Sequence, residues 1–191
     1  VDAPPTVDGV LTEPVWTRAS SAELVLNATG EAPAQAPSFR ALYNDTTLYL
    51  AVRIPRTPAT ELTAAVTTRD GQVWTDDSIE LFLDPKNTYE TYYHVVVNPH
   101  GTVFDAGPDG HKQWDGRLST ATEVTDTEWR LELAVPLETM GTETPQAGAF
   151  ILFDLMHNRW EGRPHAQYRA WAPTFAGFHQ PDRFGHLELG N

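Results

Sequence analysis

The sequence predicts an all-β chain: an antiparallel β-sandwich, jelly-roll-like, of two packed sheets with one or two short helical turns. Apolar residues recur at every second position in several short runs, and clusters of turn-forming residues separate those runs. Helical spacing is scarce. Neither an internal repeat nor a break in composition divides the chain, so one domain over residues 1–191 is expected.

In chain order, residues 14–19 read as a helical turn, with Thr12 as N-cap and Glu13 and Pro14 in the first turn. Residues 27–36 read as a loop, in which Asn27-Ala28-Thr29 fits the N-glycosylation pattern. Residues 47–52, 78–83 and 129–135 alternate and read as half-buried strands. Residues 92–97 and 150–156 are more continuously apolar, as central sandwich strands are. Residues 136–140 offer a second helical turn. Turns fall at 43–45, 84–87, 98–101 and 107–110, each rich in Asn, Asp, Pro or Gly.

Composition excludes several functions. Lys+Arg 13 against Asp+Glu 26 gives a net charge of -13, which repels nucleic acid and anionic membrane, so neither is an expected partner. Without cysteine there is no disulfide scaffold, thiol nucleophile, Cys-ligated zinc site or iron–sulfur cluster. No run approaches the roughly 20 apolar residues of a membrane helix. Val1 opens into a Pro-rich lead, as in a trimmed mature chain or a domain of a longer protein.

Six landmarks then occur in order. They are Asp8-Gly9 with Glu13 and Trp16; residues 48–52, LYLAV; residues 74–84, WTDDSIELFLD; residues 93–101, YHVVVNPHG; residues 129–136, ending Ala134-Val135-Pro136; and a tail with Trp171-Ala172-Pro173 and residues 178–185, FHQPDRFG. Together they resemble the family 9 carbohydrate-binding modules, from Val7 to Leu189. The resemblance implies a two-sheet sandwich with a sugar site on one face, structural calcium in loops, secretion, and attachment to a plant-polysaccharide glycoside hydrolase. It implies a sugar of β-glucan or xylan type, held as a chain end or a soluble mono- or disaccharide. Trp74 matches the first clamping aromatic, Phe178 the second, and Glu80 a hydroxyl-reading carboxylate. A reading arginine, glutamine and asparagine align instead with Val96, Met156 and Phe175.

The residues support that reading in their own chemistry. A tryptophan face attracts the weakly positive C–H groups of a pyranose, and ordinary edge packing is the other reading of Trp74. Glu80 leaves the face buried by Ile79 and Leu81, sharing its own with Ser78 and Phe82; it reads either as a solvated strand residue or as an acceptor for two sugar hydroxyls. His94 and Asn98 share parity with Val96, and Asp154 and Asn158 with Met156, so these four are candidate substitute readers. Trp114 lies in a polar loop, as a lid or a stacking platform. Trp171 is read as core packing first and a site residue second; Trp160 and Arg159 as pocket rim or solvated loop. Turn carboxylates suit calcium. Asp8, Glu13 and Asp84 are the candidate ligands, with Asp109 among the wider set.

Two alternatives stay open. A glycan-active enzyme needs paired carboxylates about 5–9.5 Å apart, for which Asp77–Glu80 and Glu80–Asp154 are the candidates. A haem electron-transfer domain needs apposed axial ligands, for which Met156 and His94 are the candidates.

Overall fold

Period-two alternation sends successive side chains to opposite faces, and two sheets close on the apolar faces. The structure is a computed structural model and describes residues 1–190 other than 60, 109, 111–112, 143–145 and 161–165. One antiparallel sheet of five strands runs β1 (Ala22–Glu23), β3 (Ser38–Tyr43), β4 (Thr47–Pro55), β9 (Glu128–Pro136), β8 (Ser119–Val124). The second, of seven strands, runs β2 (Val25–Leu26), β11 (Gln167–Ala170), β10 (Phe150–Arg159), β5 (Ser78–Asp84), β6 (Tyr93–Val97), β7 (Val103–Ala106), and β12 (Gly185–Glu188) pairs with the first half of β10. This is the antiparallel sandwich that the alternation predicts. The two expected helical turns are single 3-10 turns, Pro14–Arg18 and Leu137–Met140. Glu13, not Thr12, holds the N-cap position of the first, and no side chain caps it.

Ile79, Leu81 and Leu83 of β5 and Phe153 and Leu155 of β10 meet Leu48, Leu50, Val52, Leu131 and Leu133 from the facing sheet. Each such side chain contributes about 1.5–3 kcal/mol of burial. β5 is buried along its whole length rather than on one face, because loops cover its outer side.

Two predicted site residues belong to this core. Trp171 meets Phe39 and Phe153 edge-on at 5.8 and 5.5 Å. Its ring fills the space beside Gly185, where an added Cβ would lie 2.5 Å from it. Trp114 packs on Tyr93 at 4.7 Å, and its Nε1 donates to Thr139 O at 2.8 Å. It therefore closes one end of the core and is neither lid nor platform.

The leading Asp8-Gly9…Trp16 landmark is structural. The buried Glu132 carboxylate of β9 accepts from Asp8 N and Gly9 N at 2.8 Å and from Trp16 Nε1 at 3.0 Å. Gly9, at φ 86°, lets the lead lie against β8; a Cβ there would come 3.0 Å from the Thr122 backbone.

Candidate functional site

Outer-face positions on three neighbouring strands make a floor on the seven-stranded sheet. The cross-strand partners of Glu80 are Val96 on β6 and Met156 on β10, both apolar. Its carboxylate is met instead by the next outer-face positions along. His94 Nε2 donates to Oε2 at 2.6 Å, and Asn158 Nδ2 donates to Oε1 and, at 3.0 Å, to Ser78 Oγ. A carboxylate only accepts, so it requires a proton on His94 Nε2 and the Asn158 amide group turned toward it. Asn158 Oδ1 is then left buried without a partner.

Aromatic rings surround the floor. His94 stacks on Phe82, centroids 4.4 Å apart and planes 13° apart. His179 stands at 90° to His94, 5.3 Å away, with its Nδ1 2.8 Å from the Tyr92 hydroxyl. Burial, and after it His94, holds the His179 imidazole below its ordinary pKa, while Glu80 opposes the shift. Burial, then Glu80, raises the Tyr92 phenol.

Over this floor opens a pocket of about 840 Å³, within the roughly 300–1,000 Å³ of small-ligand sites. One side carries Trp74 in a 3-10 turn, Val73–Thr75, edge-on to Phe104 at 5.1 Å. Trp160 braces it, donating from Nε1 to Trp74 O at 3.3 Å and from its backbone N to Asp77 Oδ1 at 2.8 Å. Phe178, edge-on to Tyr168 at 5.1 Å, belongs to the same lining.

The segment carrying Phe178 is pinned from below. Asn27 Oδ1 accepts from Thr174 N at 2.8 Å and Thr174 Oγ1 at 3.1 Å, and Asn27 Nδ2 donates to Ala176 O at 2.8 Å. Asn27 is 2% exposed, so the glycosylation pattern it heads is spent on structure in the folded chain. Asp154 Oδ1 accepts from Ala172 N at 3.0 Å and holds the start of that segment.

Trp74, Glu80, His94, Asn158 and Phe178 thus meet in one pocket, as does Trp160, the rim reading of which holds. Asn98 and Asp154 keep the expected parity but do not line it. Asn98 is buried: its Nδ2 donates to Val66 O and Asp76 Oδ2, and its Oδ1 accepts from His100 N and Thr102 N. Such a side chain has no donor left for a ligand. Asp154 lies fully buried under the aromatics. Burial pushes its carboxyl up to about 8, against N–H bonds from Ala172, Leu155 and Trp171. Phe175, aligned with a reading asparagine, lies outside the pocket lining; its ring covers Gly30.

Tyr92, Phe104, Tyr168 and His179 line the pocket and were not singled out by sequence reasoning. Tyr92 shares the parity of His94, a signal that could have found it. Phe104, Tyr168 and His179 needed the sheet order.

The catalytic and haem alternatives lose their geometry. Asp77 spends its carboxylate on Thr63 N and Trp160 N and does not line the pocket. Asp154 is sealed beneath it. Met156 and His94 lie on the strands either side of β5, on one sheet face, and so do not oppose each other. The candidate calcium ligands do not gather either. Asp8 and Glu13 belong to the lead that packs on the five-stranded sheet at Glu132, whereas Asp84 ends β5 in the other sheet. Asp84 accepts from Lys86 N, Thr88 Oγ1 and Tyr89 N. Among the described residues no three His, Asp or Glu side chains are grouped to hold an ion; Asp109 lies outside the described residues.

A sandwich with an aromatic-lined pocket on an outer sheet face has the build of a binding module. The chain belongs to the family described as carbohydrate family 9 binding domain-like, which matches residues 7–191; it is a family of non-catalytic binding modules. The fold is similar to that of a family 9 carbohydrate-binding module from Caldicellulosiruptor kristjanssonii in two structures. In complex with glucose it has a TM-score of 0.73 at 19% identity, over 99% of this chain and 93% of that one. In complex with cellotriose the TM-score is 0.74 at 19% identity, over 98% and 90%. A putative carbohydrate-binding protein from Bacteroides uniformis is similar at a TM-score of 0.71 and 18% identity, over 91% and 87%. No curated protein matches the chain.

Proposed function

We propose that this chain is a carbohydrate-binding module that holds a sugar ring between Trp74 and Phe178 over a floor of Glu80, His94 and Asn158. The observation that carries the reading is the convergence of these five side chains, from well-separated parts of the sequence, on one pocket. The aromatic faces stack on the apolar C–H faces of a pyranose. Glu80 gives one lone pair of each oxygen to His94 and Asn158 and keeps the others to accept sugar hydroxyls, a charge-assisted bond stronger than a neutral one. Val96 and Met156 remove the longer polar readers beside it, and His94 and Asn158 take over part of their place.

The proposed ligand is a chain end or a soluble mono- or disaccharide of β-glucan or xylan type. Family membership supports sugar as the ligand class; the glucose and cellotriose bound by the Caldicellulosiruptor module fit the β-glucan choice. Secretion and a covalently attached glycoside hydrolase belong to the same proposal and rest on the sequence resemblance. Affinity electrophoresis against xylan and soluble β-glucan, with cellobiose and xylobiose as competitors, tests the function. Retardation of the wild-type chain, relieved by competitor and lost in Glu80→Ala, is the expected result. Migration unaffected by either polymer contradicts it.

A further inference from the structure

The pocket does not end at the Trp74–Phe178 pair. Tyr168 also lines it and is 48% exposed, among the most exposed large apolar-bodied side chains of the described residues. Its position is set by the sheet. On β11 it pairs directly with Asn158 of β10, which pairs in turn with Ser78 of β5, so Ser78, Asn158 and Tyr168 form one row across three strands. Ala170, two residues on, is buried in the outer-face cluster with Phe178, which places Tyr168 on the outer face as well. The ring is held by Phe178, edge-on at 5.1 Å and 77°. A half-exposed aromatic fixed in this way, with only two side-chain torsions to lose, is an inexpensive stacking surface. Beside it, Asn158 Oδ1 is a buried acceptor without a donor, which an unliganded core rarely leaves.

We infer that Tyr168 is a second stacking platform: it takes the next sugar ring of an oligosaccharide whose first ring lies over Glu80. The site is thereby a reader of short chains rather than of single sugars. The inference rests on the proposed function and adds to it the length of ligand that the site selects. Phe178 is the hinge between the two positions, since it contributes to the first and orients Tyr168 for the second. Asn158 links the two positions, giving Nδ2 to Glu80 on one side and pairing in register with Tyr168 on the other.

Calorimetric titration with glucose and cellotriose, and with xylose and xylotriose, tests the platform. In the wild-type chain the trisaccharide of at least one series binds more tightly than its monosaccharide. In Tyr168→Ala the ratio of trisaccharide to monosaccharide affinity falls about fivefold to tenfold, the range of one aromatic contact. Tyr168→Phe retains the ratio, which separates a stacking role from loss of the fold or of the hydroxyl. A ratio unchanged in Tyr168→Ala, or a wild-type trisaccharide affinity no greater than that of the monosaccharide, overturns the second platform and leaves the proposed function standing. Failure of the wild-type chain to bind any of the four sugars overturns both.

Discussion

His94 donates to Glu80 across the β5–β6 ladder at 2.6 Å, although the two are not register partners: Glu80 faces Val96, and His94 faces Phe82. The diagonal contact exists because the direct neighbours of Glu80 are apolar. It holds a carboxylate that is 4% exposed, and it makes the pocket floor depend on a pair.

Breaking that pair costs stability as well as affinity. His94→Ala removes a charge-assisted hydrogen bond and the stack on Phe82, an expected loss of about 2 kcal/mol. For a chain of this length that lowers Tm by roughly 4–8 °C. Adding Glu80→Gln to His94→Ala recovers part of the loss, since the charge left without its partner is gone; thermal denaturation of the four members of the cycle measures the coupling. Strictly additive Tm changes argue against the pairing.

Asn27 holds the Phe178 segment by bonds to Thr174 and Ala176. Asn27→Ala leaves those buried groups unpaired and is expected to lower Tm by about 5 °C or more, and to weaken sugar binding with it. Thr29→Ala destroys the same glycosylation pattern without touching the segment and leaves both quantities at their wild-type values. Equal effects of the two substitutions would place the importance of the site in the pattern, not in the anchor.

Asp154 gives the chain a pH dependence of stated sign. Its carboxyl titrates at about 8 when folded and near 3.9 when unfolded. Between those values the folded chain keeps a proton that the unfolded chain has lost, so this group's contribution to stability falls as pH rises from about 4 to about 8 and is flat above. Asp154→Asn keeps an acceptor for Ala172 N and removes the titration. The difference in Tm, variant minus wild type, is expected to increase steadily across that range. A difference independent of pH contradicts the buried, proton-retaining carboxyl.

Much of this was legible in the sequence, and the limits were physical. Period two assigns a face, so the parity of Ile79, Glu80 and Leu81 placed Glu80 outside the core, and the parity of His94 and Asn158 found the two residues that bond it. Parity says nothing of position along a strand. Asn98 therefore shared the right face yet sits at a strand end, bound to Asp76 and Val66, and Asp154 shared it yet lies beneath the aromatics. Nor does local pattern reveal what a loop packs against. Trp114 looked stranded in a polar segment, but the segment folds its ring onto Tyr93 at 4.7 Å. Tyr168 became visible only through the order β5–β10–β11, which brings residues 80, 158 and 168 together from distant parts of the chain.

The central claim is that Trp74 and Glu80 belong to one sugar site. Isothermal titration of cellotriose into the wild-type chain and into Trp74→Ala measures it most directly. The expected result is saturable binding by the wild-type chain, weakened about threefold to tenfold in the variant, the range of one aromatic contact, with cooperative unfolding retained in the variant at a Tm lowered by the lost Phe104 contact. Equal affinity in the two proteins, or no heat of binding in either, would contradict it.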